Sequence, residues 1–409
     1  RRRQRQMCIR DSNDTTHRNF YVYTDDIHGE WSDPITIDQD GIDPSLYFED
    51  GRAFFISNGT DCEGRGGVVQ CEINIETGEK LTESRCIWQG SGGRYLESPH
   101  MYKIGKYYYL MAAEGGTEYG HMITYARSES VWGKFEGYPH NPVLTNRNKA
   151  PFIIQGIGHG DLIQDKNGEW HIICLGFRQI HMWMTYHHLG RECFLIPVTF
   201  HEDGWFTAGN GTCEESYELS GDFAQLPLKT YTLENIGHDI CHLRHPHTEN
   251  YSITKDKITL KGTDVTLDDV ASPTFAGVRQ RDFDMDCSVS VSVSDGEGGL
   301  TVYSCETEHY DLALRKNEGG YEAILRLNIG GIRHIEKAVQ IPSGDAKLII
   351  RSDSQVYKFF VQSQGEEIPM GFAMSKYLSS EVCGGFTGTV IGMYAVKGSA
   401  EFTDLRISY

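Results

Sequence analysis

The chain has 409 residues, a formal net charge of −19 at pH 7, and 39% hydrophobic and 11% aromatic residues. This length is typical of two domains rather than one core, and the negative charge argues against a nucleic-acid partner, because such partners need a basic face. No apolar run approaches the roughly 18 residues of a membrane helix, so no membrane association is expected.

The first twelve residues, RRRQRQMCIRDS, are strongly basic and lack the hydrophobic periodicity of a folded element. A signal peptide would need an apolar stretch after the charges, so the segment resembles a translated adapter instead. We therefore predict that residues 1–12 are a non-native tail and that the authentic N-terminus is missing.

Eleven cysteines are scattered along the chain without the CxxC spacing of a zinc site. This usage favours reduced cysteines and a cytoplasmic location. A secreted origin stays open because the missing leader could have been a signal peptide, and homo-oligomerisation stays open as well.

Three segments in the first half share one pattern of strand, glycine turn and strand. Glycine turns between β-branched and aromatic runs predict β-hairpins. Repetition of the hairpin after 54 and then 63 residues predicts a β-propeller with long loops. The segments are IDPSLYFEDGRAFFIS, LESPHMYKIGKYYYLMAA and HGDLIQDKNGEWHIICLG, with turns at Gly51, Gly105 and Gly168.

Two carboxylates occupy equivalent positions in the first two hairpins. Asp43 and Glu97 each lie eight residues before the turn glycine, and the third hairpin has His159 and Asp161 beside that position. Equivalent strand starts of a propeller converge at one mouth of its axis, so Asp43 and Glu97 are expected to meet there.

Paired carboxylates in one pocket suit glycosidic cleavage, because one protonates the leaving oxygen while another carboxylate acts on water. A neighbouring anion and desolvation would both raise the pKa of the acid. Taken singly, Asp43 or Glu97 reads as an ordinary strand-end carboxylate beside proline and serine. The shared position favours the functional interpretation.

Several motifs in order make the chain resemble glycoside hydrolase family 43. GIDPSL resembles the segment of the family's pKa-modulating aspartate, which implies that role for Asp43, and LESPHMYK resembles the segment of its general acid, which implies Glu97. The resemblance runs from about residue 19 to 206. It implies a five-bladed β-propeller that cleaves xylosides and arabinosides with inversion.

Two further positions follow from this resemblance. GHGDL resembles the axial histidine motif, which implies that His159 lies beneath the sugar and helps to hold a hydrated Ca²⁺ ion through waters. LGFR implies that Arg178 reaches the substrate. The plain alternatives are a satisfied core histidine and an ordinary surface arginine.

The chain departs from the family at the general base. That role belongs to an aspartate in a YPDPS-like segment of the first blade, and nothing similar precedes Asp43. Asp25 and Asp26, in NFYVYTDDIHGEW, fit an outer strand instead. We therefore expect a largely missing first blade and a catalytically crippled chain.

From about Tyr217 the pattern changes to long alternating strands such as CSVSVSV and YEAILRLNI, which predict a β-sandwich. This half resembles the concanavalin-like C-terminal domain of β-xylosidases in the same family. That resemblance implies a phenylalanine directed into the pocket, for which Phe386 is the candidate, with a core role as the alternative.

The expected organisation is thus all-β, with a tail at 1–12, a partial propeller at 13–212 and a sandwich at 217–409. The expected function is exo-acting, inverting hydrolysis of terminal xylosyl or arabinofuranosyl residues from hemicellulose-derived oligosaccharides, with no required cofactor. A carbohydrate-binding protein without hydrolysis is the alternative.

Overall fold

The computed structural model describes residues 4–7, 19–180, 184–218 and 227–409. Strands are the predominant regular secondary structure of these residues, as expected. The helical elements among them are the 3-10 turns Gly237–Asp239, Thr248–Asn250 and Ser375–Leu378 and the single helical turn α1, Ser380–Cys383. No helix in these ranges has the length and apolarity needed to cross a membrane.

The chain divides into two compact units. The first comprises residues up to 177 together with 192–223, and the second comprises residues 178–191 together with 224–409. The sequence-based boundary lay between 212 and 217 and assigned residues 178–191 to the first domain. In the structure those fourteen positions pack with the second unit, although they are flanked by strands of the first.

The first unit consists of separate antiparallel sheets in chain order. Its strands are β1 (Gln4–Met7), β2 (Asn19–Thr24), β3 (Ile35–Ile37), β4 (Ser45–Glu49), β5 (Arg52–Thr60), β6 (Gly66–Ile73), β7 (Arg85–Trp88), β8 (Glu97–Ile104), β9 (Tyr107–Glu114), β10 (Met122–Ser128), β11 (Glu136–Gly137), β12 (Ile154–Gln164), β13 (Trp170–Arg178), β14 (Glu192–Phe200) and β15 (Phe206–Ala208).

Four sheets are formed, β1–β3, β4–β7, β8–β11 and β12–β15. The strands β4–β5, β8–β9 and β12–β13 are the three predicted hairpins. Gly51, Gly105 and Gly168 all have positive φ at their turns, which glycine adopts without steric cost. β1 lies within the segment expected to be a non-native tail, and it pairs antiparallel with β2.

The hydrophobic core of the first unit lies between consecutive sheets. Tyr109 of β9 and Ile123 of β10 pack in one cluster with Ile172 of β13 and Phe206 of β15. A second cluster joins β5 and β6 to β9, and a third joins β2 and β3 to β5 and β6. The two middle sheets, β4–β7 and β8–β11, therefore each bury one face against the preceding sheet and the other against the following one.

The second unit is one large antiparallel β-structure. Its strands are β16 (Tyr231–Thr232), β17 (Tyr251–Ile253), β18 (Ile258–Gly262), β19 (Thr274–Arg279), β20 (Met285–Cys305), β21 (Glu308–Asn317), β22 (Gly320–Ile329), β23 (Ile332–Ile341), β24 (Asp345–Ser352), β25 (Val356–Ser363), β26 (Glu366–Met374) and β27 (Val390–Ser408).

The long strands β20 and β27 organise this unit. β20 pairs with β27 along most of its length, with β24 through its first half and with β21 through its second half. In CSVSVSV, Cys287, Val289 and Val291 are at most 3% exposed and line the main core cluster. The alternation read from the sequence thus marks the buried face of β20.

Candidate active site

Asp43 lies just before β4 and is tied to the start of β8. Its carboxylate Oδ2 accepts a hydrogen bond of 2.9 Å from the Ser98 hydroxyl. A second hydrogen bond, from the Ser45 hydroxyl to the Pro99 carbonyl, joins the same two strand starts. The first and second hairpins are therefore held together where the sequence placed its two acidic side chains.

Glu97 is the first residue of β8 and is half-buried. It pairs with Ala113 of β9, and a bulge follows between Glu97 and His100. A bulge changes the direction in which side chains leave a strand. Because Ser98 is its chain neighbour, the Glu97 backbone lies beside the Asp43 carboxylate, as the shared register predicted.

The third hairpin brings His159 and Asp161 close to His100 of the second hairpin. The rings of His159 on β12 and His100 on β8 have centroids 6.1 Å apart. The His100 Nδ1 lies 3.1 Å from Asp161 Oδ1, which also accepts a hydrogen bond of 2.7 Å from the Tyr102 hydroxyl. Neighbouring hairpins thus share one polar cluster.

The electrostatics of His100 show that Asp43 belongs to this cluster. Burial lowers the pKa of His100, and the positive field of His159 acts in the same direction. Asp161 and Asp43 oppose the decrease, because a nearby negative charge favours the protonated imidazole. The net pKa decrease keeps His100 neutral at neutral pH.

Backbone strain is concentrated at these strand starts. Asp43, Ser98 and His159 have φ values of 48°, 53° and 46°. Side chains other than glycine rarely adopt this region, and each instance costs on the order of 1–3 kcal/mol. Three strained residues within one polar cluster are typical of a functional site that the surrounding fold holds in place.

Glycines of β12 allow a histidine to pack closely behind the cluster. A Cβ atom on Gly158 would lie 2.2 Å from the His121 ring, whose Nδ1 is 3.0 Å from the Gly156 carbonyl. Gly158 and Gly160 thus allow neighbouring side chains to pack closely against β12. His159 itself is half-buried rather than enclosed in the core.

A family model described as "Glycosyl hydrolases family 43" matches residues 7–206, and another described as "Beta xylosidase C-terminal Concanavalin A-like domain" matches residues 229–406. The non-reducing end alpha-L-arabinofuranosidase of Bacteroides ovatus is 36% identical over 389 residues, 92% of this chain and 72% of the relative. The chain belongs to glycoside hydrolase family 43. It is therefore a glycoside hydrolase, as the sequence predicted.

Other relatives and solved structures agree with this membership. The xylosidase/arabinosidase 43B of Humicola insolens is 29% identical and covers 96% of this chain and 78% of its own length. A Bacteroides ovatus xyloglucan-locus family 43 structure has a TM-score of 0.87 at 34% identity, covering 96% of this chain and 81% of that one. The xylan beta-1,4-xylosidase of Bacillus halodurans has a TM-score of 0.88 at 26% identity, covering 100% and 84%.

Arg178 and Phe386 both belong to the second unit of this family 43 chain. Arg178 ends β13, as expected, and donates to Asp282 Oδ1 at 3.0 Å and to the Arg281 carbonyl at 2.9 Å. Phe386 is 47% exposed, so the core alternative is wrong. The Arg191 guanidinium lies 3.7 Å from the Phe386 ring centroid.

Sequence reasoning missed four polar side chains that shape the site. Ser98 and His100 lie within the LESPHMYK motif that singled out Glu97, so their hydrogen-bonding side chains were an available signal. Glu114 is fully buried and accepts hydrogen bonds from the Ser91 and Gly93 backbone and from the Thr124 hydroxyl. It thereby holds the loop before Glu97. The fourth is Tyr102, which binds Asp161.

The described donors suit a hydrated calcium ion better than a directly bound one. Calcium prefers six to eight oxygen ligands, but the Asp161 oxygen near His159 is already bound by Tyr102 and His100. An imidazole nitrogen is a poor direct ligand for this ion. The residues therefore fit the expected contact of calcium with His159 through water.

Proposed function

We propose that this chain releases terminal xylosyl or arabinofuranosyl residues from hemicellulose-derived oligosaccharides with inversion of configuration. The observation that carries the proposal is the hydrogen bond from Ser98 to Asp43, which brings the strand start of Glu97 to a second carboxylate. The activities for which the relatives are named, arabinofuranosidase, xylosidase/arabinosidase and β-xylosidase, support this class of terminal sugars.

In the proposed mechanism Glu97 is the general acid that protonates the leaving oxygen. Asp43 orients Glu97 and raises its pKa through negative charge, because two nearby carboxyl groups resist double ionisation. Inverting glycosidases also use a separate carboxylate to deprotonate water. The described residues include no segment that resembles YPDPS, and Asp25 and Asp26 are exposed in the turn after β2, so we assign no base.

We further propose separate sugar-binding roles for His159 of the first unit and for Arg178 and Phe386 of the second. His159 would lie beneath the sugar and contact a hydrated calcium ion, which would supply positive charge there. The planar guanidinium of Arg178 suits hydrogen bonds to sugar hydroxyls. The exposed Phe386 ring suits the apolar face of a pyranose or furanose.

The proposed architecture is a five-bladed propeller followed by a concanavalin-like sandwich. The sheets of the first unit pack one against the next in chain order. This packing supports the proposal that they are blades around an axis. The alternating pattern of β20 supports the sandwich.

The acid role is tested by Glu97→Gln, with Glu202→Gln, an exposed glutamate in the turn before β15, as the matched control. Activity is measured with azide present, because this anionic nucleophile needs no general base. On an unactivated disaccharide we expect Glu97→Gln to lower kcat/KM by about 10²–10⁴-fold. On the 2,4-dinitrophenyl glycoside the loss should be no more than about tenfold, because that leaving group needs little protonation.

Equal losses on both substrates would remove Glu97 from the acid role. Parallel assays with xylosides and arabinofuranosides identify the sugar. If the unsubstituted chain hydrolyses neither the xylosides nor the arabinofuranosides, with or without azide, the proposed substrate class is contradicted.

A further inference from the structure

A cluster of three potential metal ligands lies in the second unit, outside the proposed active site. Cys305 ends β20, Glu308 begins β21 after a two-residue turn, and Cys383 ends α1. The two Sγ atoms and a Glu308 carboxylate oxygen all lie within 4.8 Å of one another. The Cys305 Sγ is 2.8 Å from Glu308 Oε2.

The carboxylate of this cluster is held in a fixed orientation. Glu308 is only 5% exposed, and its Oε1 accepts a hydrogen bond of 3.0 Å from the Gly330 backbone. The Thr307 hydroxyl donates to its Oε2. Both cysteines are half-buried, so the cluster is accessible to a small ion.

We propose that Cys305, Glu308 and Cys383 bind one zinc ion. Zinc takes thiolate ligands at about 2.3 Å and carboxylate oxygens at about 2.0–2.2 Å in tetrahedral geometry. A tetrahedral angle then separates two sulfurs by about 3.8 Å, within the observed limit. The thiolate pair selects zinc over calcium or magnesium, which prefer oxygen alone. Water completes the coordination.

The buried carboxylate of Glu308 favours a cation at this cluster. A divalent cation would neutralise it together with the two thiolates.

Zinc would fix the position of residues 380–386, which make two further contacts. Glu381 of α1 accepts from the His187 backbone at 3.0 Å and lies 2.8 Å from its Nδ1. The Phe386 carbonyl accepts from the Arg191 backbone at 3.1 Å. The ion would thus link the β20–β21 turn to the loop of Phe386. Zinc binding itself does not depend on the proposed role of Phe386 in sugar binding.

The test is a Co²⁺ titration of the full, reduced chain, with Zn²⁺ as competitor. Cobalt bound to thiolates gives a charge-transfer absorption, which oxygen and nitrogen ligands do not produce. We expect one thiolate-bound cobalt per chain, displaced by zinc. Cys383→Ser should weaken binding at least tenfold, and Glu308→Gln, which keeps both thiols, should weaken it about tenfold. Cys193→Ser, at an exposed cysteine of the first unit, should leave it unchanged.

Absence of the absorption, or an identical absorption in Cys383→Ser, would overturn the proposal. Two results together would show a disulfide instead. The parent, but not Cys383→Ser, would lose two thiols on air oxidation, and the reduced parent would bind no cobalt. If Cys383→Ser does not fold by circular dichroism, the parent and Glu308→Gln titrations decide the question.

Discussion

Ser98 lies between the proposed acid and Pro99 in β8, and its hydroxyl contacts Asp43. It is 2% exposed and has a φ of 53°. At this bulge the strained backbone directs a small hydroxyl toward the neighbouring hairpin. We infer that Ser98 is a positioning residue, which acts on the reaction through Asp43.

Ser98→Ala should lower kcat about tenfold with little change in KM, because a hydrogen bond to a charged group contributes about 1.5–3 kcal/mol. The pH profile of kcat/KM should shift as well, because Ser98 orients the Asp43 carboxylate that we propose to act on Glu97. Steady-state kinetics in the presence of azide measure both quantities.

Ser84→Ala is the matched control, because Ser84 is a buried serine that donates one side-chain hydrogen bond, to Gln39, outside the polar cluster. It should reduce stability without moving the pH profile. The same profile shift in both variants would show that Ser98 acts on stability alone.

At the scale of single elements, β12 shows how strand composition shapes the site. The segment GIGHG alternates glycine with larger residues. The space over Gly158 is filled by His121, which directly precedes β10, and the space over Gly160 by Ile123 of β10. The lack of side chains at these two positions lets β10 approach, and His159 is left half-buried.

Gly158→Ala should destabilise the first unit by about 1–3 kcal/mol, because its methyl group would overlap the His121 ring. Urea denaturation followed by tryptophan fluorescence measures the change. Gly66→Ala is the control, because its Cβ would come no closer than 3.9 Å to another residue. Equal effects of the two substitutions would contradict the packing argument.

At the scale of the whole molecule, a buried charge network contributes to stability in the second unit. His309 contacts Asp311 at 2.9 Å and Asp268 at 3.2 Å, and Asp311 binds Arg326 at 3.0 Å. Burial lowers the pKa of His309, but the two aspartates outweigh it and raise the pKa to about 9. They stabilise the imidazolium.

The stability of the chain should therefore fall as pH rises through about 9. The raised pKa of His309 stabilises the fold fully below the unfolded value of about 6.5, by on the order of 3 kcal/mol, and this contribution disappears above the folded pKa. His309→Gln should lower the thermal midpoint strongly at pH 6 and little at pH 10. The exposed His334→Gln should show no such trend. A pH-independent effect of His309→Gln would refute the assignment.

The whole chain is also predicted to hydrolyse activated xylosides or arabinofuranosides slowly and to be accelerated by azide. General-base catalysis contributes about 10²–10⁴-fold to the rate. The described residues give us no assigned base, and a small anion can attack without one. Product analysis should show a glycosyl azide of inverted configuration. Rapid hydrolysis without azide would mean that another carboxylate of this chain is the base.

Much of the fold could be predicted, because strand alternation and glycine turns are local signals. The three hairpins and the buried face of β20 follow from side-chain periods of two and from positive φ at the turns. Assignment of residues 178–191 to the second unit could not be predicted, because it depends on packing between residues about a hundred positions apart, such as Arg178 and Asp282.

By itself the sequence determined that this protein is all-β, that it belongs with family 43 hydrolases and that Asp43 and Glu97 occupy equivalent strand starts. Only the tertiary structure decided that Ser98 joins those starts, that Phe386 is exposed and that Cys305, Glu308 and Cys383 converge. The physical reason is the distance along the sequence over which each feature is determined. Backbone conformation and alternation are set by neighbouring residues, whereas contacts across 55 or 78 positions exist only after the sheets have packed.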